Sequence, residues 1–287
     1  QMDHRPHFIS SGIRIAQGNR RKTQMSKSNL TSTTMHSDLS KEYTTKIGFQ
    51  SAFLNQNLAL IFDRGFEQHK SGELSGALSS YEEVLKTQPQ HYDAMHLSGV
   101  IAYQNKDLDR SVELITRAIE INPEHASAYS NLGNALYELG HFEKALSSFE
   151  RAIELDAGFE MAHNNRGLTL QQLGRLQEAL ASFDKAIAIR PDYAEAYWNK
   201  SLALLLDGQL RAGFEMFEWR WKAEKTGLKP RELGAPQWLG EQDIAGKTLL
   251  LHSEQGLGDS IQFCRYAKLA KERGARVIML VPKALIN

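Results

Sequence analysis

A fixed offset of 34 residues runs through the middle of this 287-residue chain. Gly65, Gly99, Gly133 and Gly167 recur at that spacing with Ser201 in the fifth slot, and twelve residues after each stand Ala77, Ser111, Ala145, Ala179 and Gly213. Four positions further on, every copy has a large residue: Tyr81, Ile115, Phe149, Phe183 and Phe217. Pro89, Pro123 and Pro191 close copies one, two and four, and copy three has Ala157 instead. Each copy reads as two amphipathic helices, in the third about Ser127–Leu139 and Phe142–Leu155, broken by Gly140, a residue that tolerates the left-handed conformation ending a helix. Small residues let the paired helices approach closely, and the large one fills the space between them. No copy buries that face alone, so the copies must stack.

Small residues at two fixed places, a large one after them and a closing proline, on this period, resemble the tetratricopeptide repeat. The resemblance implies a mainly α fold, a right-handed superhelix of helix-turn-helix repeats with a long concave surface. Five copies cover 58–91, 92–125, 126–159, 160–193 and 194–221.

The composition is that of an ordinary globular protein, 41% hydrophobic and 24% charged, with 34 basic against 34 acidic residues. Zero net charge gives no electrostatic footprint for nucleic acid. Cys264 is the only cysteine, so no intrachain disulfide forms and a reducing, cytoplasmic setting is expected. No apolar run approaches the roughly 20 residues that cross a bilayer. Residues 1–46 carry eight Lys/Arg against three Asp/Glu and few apolar side chains, which predicts a disordered tail. Phe49, Phe53 and Leu54 suggest a short helix within 47–57 that caps the stack.

The first helix of each repeat lines the inner face, and the sixth position of each copy points into the groove. There the sequence has Asp63, Leu97, Asn131, Asn165 and Asn199, with Asn134 and Asn164 nearby on the same helices. A ladder of carboxamides donates and accepts hydrogen bonds, which suits the backbone of an extended polypeptide. A tetratricopeptide subclass that clamps peptide carboxylates needs cations where this chain has Ser130, Glu195 and Asn199, so that mode is not expected. The ladder and the AYSNLGNAL wording of copy three instead resemble the repeats of protein O-linked N-acetylglucosamine transferases.

The fifth copy degrades after Phe217: Arg220 stands where a small residue should pack, and Phe214, Trp219 and Trp221 crowd one segment and should be buried. A turn-rich connector follows over 222–246, with Trp238 as an anchor. Thr248–His252 then reads as a strand, Glu254–Asp259 as a glycine loop, Ser260–Arg273 as a helix and Arg276–Val281 as a second strand: one βαβ unit with parallel strands. Asp259 and Gln262 suit the start of that helix as a cap. Ile261 stands where a dinucleotide fingerprint needs its third glycine, and no ribose-binding acid follows the second strand, so a nicotinamide or flavin site is not expected.

The wording GKTLLLHSEQGLGDSIQFCRYAKLAKERGARVIMLVP, after APQWLG, resembles the segment following the repeats of bacterial tetratricopeptide glycosyltransferases. Its turn looks like the one opening the heptosyltransferase-like GT-B fold. That resemblance makes 247–287 an incomplete α/β glycosyltransferase-like domain of Rossmann-like type and puts a general base on Asp259, with Gly256 and Gly258 shaping the loop. It implies a nucleotide-sugar donor only for a full-length enzyme. The 1–287 chain itself is expected to need no cofactor or metal and to be inactive as a transferase. The expected function is therefore a module that binds a polypeptide partner or acceptor protein on its concave face, as part of a larger glycosyltransferase; the alternative is a passive scaffold.

Overall fold

The computed structural model describes residues 54–229, 233–254 and 256–286. The predicted tail and most of the capping segment lie outside them. The chain divides into two compact units, 1–229 and 230–287.

In the first unit, helices follow one another in pairs. They are α1 (54–70) and α2 (Leu74–Thr87), α3 (Tyr92–Gln104) and α4 (Leu108–Ile121), α5 (Ala126–Glu138) and α6 (Phe142–Leu155), α7 (Glu160–Gln172) and α8 (Leu176–Ile189), and α9 (Ala194–Leu206) and α10 (Leu210–Phe217). Residues 54–57 continue α1 and are exposed, where the sequence suggests a separate cap.

The turn inside each pair is left-handed. Gly72, Gly140, Gly174 and Gly208 have φ between 73° and 85°, and Lys106 occupies the same slot with φ 64°. Each pair closes on its glycine. A Cβ at Gly99 would stand 2.6 Å from Ile115 Cγ1, one at Gly133 2.7 Å from Phe149 Cε1, and one at Gly167 2.5 Å from Phe183 Cε1. The large residues so gripped are fully buried. Copy three lacks the closing proline, and there Asp156 Oδ1 accepts from the Gly158 backbone N–H at 2.9 Å, as Asn122 Oδ1 accepts from the Glu124 backbone N–H at 3.2 Å in copy two, where Pro123 is present.

Clusters such as Leu146, Leu170, Phe183 and Leu204 run through three successive repeats, so the core is continuous along the stack. First helices touch one another, α3 to α5, α5 to α7 and α7 to α9, more closely than any two second helices do. The first helices therefore form the inner face of the curve.

After α10 the chain enters a 3-10 turn, Glu218–Trp221. Arg220 occupies the slot that holds Val84, Ala118, Ala152 and Ala186, and it is still buried. Its guanidinium survives there because Nη1 donates to Phe217 O at 3.0 Å and to Glu218 Oε1 at 2.7 Å, while the Phe217 and Trp221 rings lie 4.6 and 4.1 Å away. Trp219 stacks on Tyr197 at 4.0 Å. Phe214 is the exception: it stays 54% exposed, against the sequence expectation.

The second unit contains β1 (Thr248–His252), α11 (Leu257–Phe263), α12 (Tyr266–Glu272) and β2 (Arg276–Leu280). The strands pair in parallel with Leu249 opposite Val277. Those two pack with Trp238, Ile244, Ala270 and Ala275 on one face, whereas Leu250 and Ile278 on the other face stay exposed. The single expected helix is two, divided at Cys264–Arg265.

Candidate inner-face site

The expected ladder is a hydrogen-bonded chain. Asn199 Nδ2 donates to Asn164 Oδ1 at 2.9 Å, Asn164 Nδ2 to Asn165 Oδ1 at 3.1 Å, and Asn165 Nδ2 to Asn134 Oδ1 at 2.9 Å. Asn131 sits apart from it and donates from Nδ2 to His96 Nε2 at 3.0 Å. Asn131, Asn134, Asn165 and Asn199 are half-buried. Asn164 is only 2% exposed. It holds its neighbours and offers nothing to a bound chain, which corrects its place among the candidate contacts. Ser130, at a position the carboxylate clamp would use, is buried as well.

Sequence reading missed the partners because they do not follow the repeat period. Asn199 and Asn164, Asn131 and His96, Gln104 Oε1 and His69 Nε2 (3.1 Å), and Glu138 and Tyr103 are all 35 residues apart. These four bonds reach one residue beyond the period, whereas Asn165 and Asn134 are 31 apart. The same rule pairs Gln171 with Leu206, which cannot hydrogen-bond, and Gln171 Oε1 is buried with no partner among the described residues.

Burial lowers the pKa of His96 to about 4, with His125 adding repulsion. His69 is lowered too, by burial opposed by its Gln104 bond. Both rings are therefore neutral at pH 7. Neutral His96 accepts the Asn131 amide proton, which protonation of Nε2 would forbid.

A second kind of joint uses charge. Arg166 reaches Glu150 at 3.0 Å and Ser182 at 2.7 Å, and Lys200 reaches Asp184. Both cations stand in the slot before the glycine position and pair with an acid sixteen residues back, in the previous repeat. They are spent on the stack and unavailable to a peptide.

In the second unit, Asp259 lies in the first turn of α11 and is exposed. The residue at the cap is Gly256, so Asp259 is not the cap the sequence suggested; as an anion in a first turn it complements the helix dipole. A Cβ at Gly256 or Gly258 would meet nothing within 4 Å. Neither glycine is required for packing there. Among the described residues no group of three His, Cys, Asp or Glu is placed to hold a metal. No described helix is long and apolar enough to cross a membrane.

Models of the tetratricopeptide repeat match residues 91–157, 130–194 and 164–213. The chain carries tetratricopeptide repeats. The fold of the array is also that of MamA, whose crystal structure superposes with a TM-score of 0.53 at 23% identity, covering 60% of this chain and 93% of MamA. A MamA spanning residue 41 to the end, from Desulfovibrio magneticus RS-1, gives 0.54 at 16% identity over 59% of this chain and 96% of its own. No curated protein matches the sequence.

Proposed function

We propose that the tetratricopeptide array is a protein-interaction module that takes an extended polypeptide along its inner face. The observation that carries this reading is the row of half-exposed carboxamides on successive first helices, Asn131, Asn134, Asn165 and Asn199, oriented by bonds to His96, to Asn164 and between Asn165 and Asn134. Pre-set amides lose little side-chain entropy when they meet a peptide backbone, and they select no particular side chain.

Replacing Asn131, Asn165 and Asn199 together by alanine should abolish capture of peptides from an immobilised array of unstructured sequences. The structure also predicts a lower melting temperature for that variant, since each lost inter-repeat bond is worth about 0.5–1.5 kcal/mol. Ser182→Ala, which removes the Arg166 bond away from the ladder, is the stability control and should bind normally. Undiminished capture by the triple variant would remove the ladder from the site.

A second reading makes the array the acceptor-recognition part of a glycosyltransferase, with residues from 247 onward contributing Asp259 as base. Its support is the exposed carboxylate beside two glycines in open space, room enough for an acceptor hydroxyl. Asp259→Asn in a chain that transfers sugar should stop transfer and spare donor binding. A passive scaffold fits the same fold, and peptide capture that never changes the captured chain would favour it.

A further inference from the structure

Among the described residues of the first unit, positions that each internal repeat covers are left uncovered on the last one. Phe214 stands in the slot of Leu78, Val112 and Leu146, which pack with Ile101, Leu136 and Leu170 of the next repeat. It is 54% exposed, and beside it Leu210 is 58% and Leu206 63% exposed. Leu206 is itself out of series, since copies one to four have Lys70, Gln104, Glu138 and Gln172 there. The turn after α10 covers only the other side of this end, through Trp219 on Tyr197 and Phe217 on Trp198. Terminal repeats of a solenoid need a polar outer face, and this one has an apolar patch instead.

We propose that two copies of this chain pair through that patch, α10 against α10 about a two-fold axis. The surface continues the repeat-to-repeat interface, so it is shaped to receive a helix. The opposite end of the array does not fit it. There Glu67 occupies the slot in which Ile101, Ala135, Thr169 and Ala203 are fully buried, and it is paired with Lys70 at 3.0 Å. A head-to-tail stack would bury that carboxylate, whereas pairing like with like would not. Charge supports the same arrangement: Arg211 and Glu215 flank Leu210 and Phe214 on α10, and antiparallel pairing sets each arginine against the other copy's glutamate. Both are largely solvated, so they fix register more than strength. The patch is one short helix and the turn before it, smaller than the roughly 800 Å² per partner of a standard stable interface, so the dimer is reversible.

Sedimentation of the full chain over a rising concentration series tests this. The mass should climb from 32.3 kDa toward twice that value. Phe214→Glu should weaken association by about tenfold or more, with the circular-dichroism melt lowered only by the loss of its edge contact with Phe217, a loss that Phe214→Ala shares. Arg211→Glu should also weaken it, and the exchanged pair Arg211→Glu with Glu215→Arg should restore it. A chain that stays at 32.3 kDa throughout, or a dimer untouched by Phe214→Glu and Arg211→Glu, overturns the proposal. Peptide capture on the inner face stands or falls independently of either result.

Discussion

At the scale of single residues, the repeats depend on glycine against a large side chain. Gly133 must remain without a Cβ because Phe149 occupies that space at 2.7 Å. Gly133→Ala should cost about 1–3 kcal/mol in a urea melt, as overpacking does. Phe149→Leu should cost stability alone and recover part of the loss when combined with Gly133→Ala, a coupling expected between residues in contact. Equal stability of Gly133→Ala and the parent would show that the two helices have slack. Gly140 is different: nothing lies within 4 Å of its absent Cβ, and its φ of 78° alone makes it glycine.

Among elements, the turn between α3 and α4 departs from the pattern. Lys106 takes a left-handed conformation that costs a non-glycine residue about 1–2 kcal/mol, and in return its Nζ bonds Glu138 Oε2 at 2.8 Å across to the next repeat. That ion pair is partly solvated and worth about 0–1 kcal/mol. Lys106→Gly should therefore leave stability within about 0.5 kcal/mol or raise it, since relief of strain offsets the lost pair and the added freedom of the unfolded chain. Gly140→Lys, with strain and no such partner, should cost about 1 kcal/mol or more. Thermal melts of the two variants decide, and a large loss in Lys106→Gly would mean that the bridge to Glu138 dominates this joint.

For the whole array, the joints between early repeats make stability depend on pH. His69 joins repeats one and two, and His96 joins two and three. Their folded pKa values lie below the unfolded value of 6.5, that of His96 at about 4. Between those limits the unfolded chain binds more protons, so stability falls as the pH drops through the window and levels off below it. For His96 the slope is at most about 1.4 kcal/mol per pH unit. Burial lowers His163 as well, and it acts in the same sense. The melting temperature should be lower at pH 5 than at pH 7, and His96→Gln, which can still accept from Asn131, should flatten that dependence. An unchanged slope in the glutamine variant would locate the acid sensitivity elsewhere.

The period, the glycine and aromatic slots, the helix pairs and both strands were legible in the sequence because each depends on neighbours a few residues away or on an apolar pattern repeated five times. Thr248–His252 needed only its own apolar run between turns. Tertiary structure alone decided which groups meet. Asn164 and Asn165 are adjacent asparagines on one helix, yet packing buries the first and leaves the second half in solvent. Arg220 sits in a slot that otherwise holds Val84 and three alanines, and partners such as Glu218, the Phe217 carbonyl and two rings make its burial tolerable. Asp259 has the residue type of a cap, but α11 begins three residues earlier than that role requires, with Gly256 at the cap. Sequence periodicity reports which face of a helix is apolar. It does not report how side-chain packing seats successive helices, and that seating puts Asn199 on Asn164 and Asn131 on His96, 35 residues apart, but Asn165 on Asn134, 31 apart.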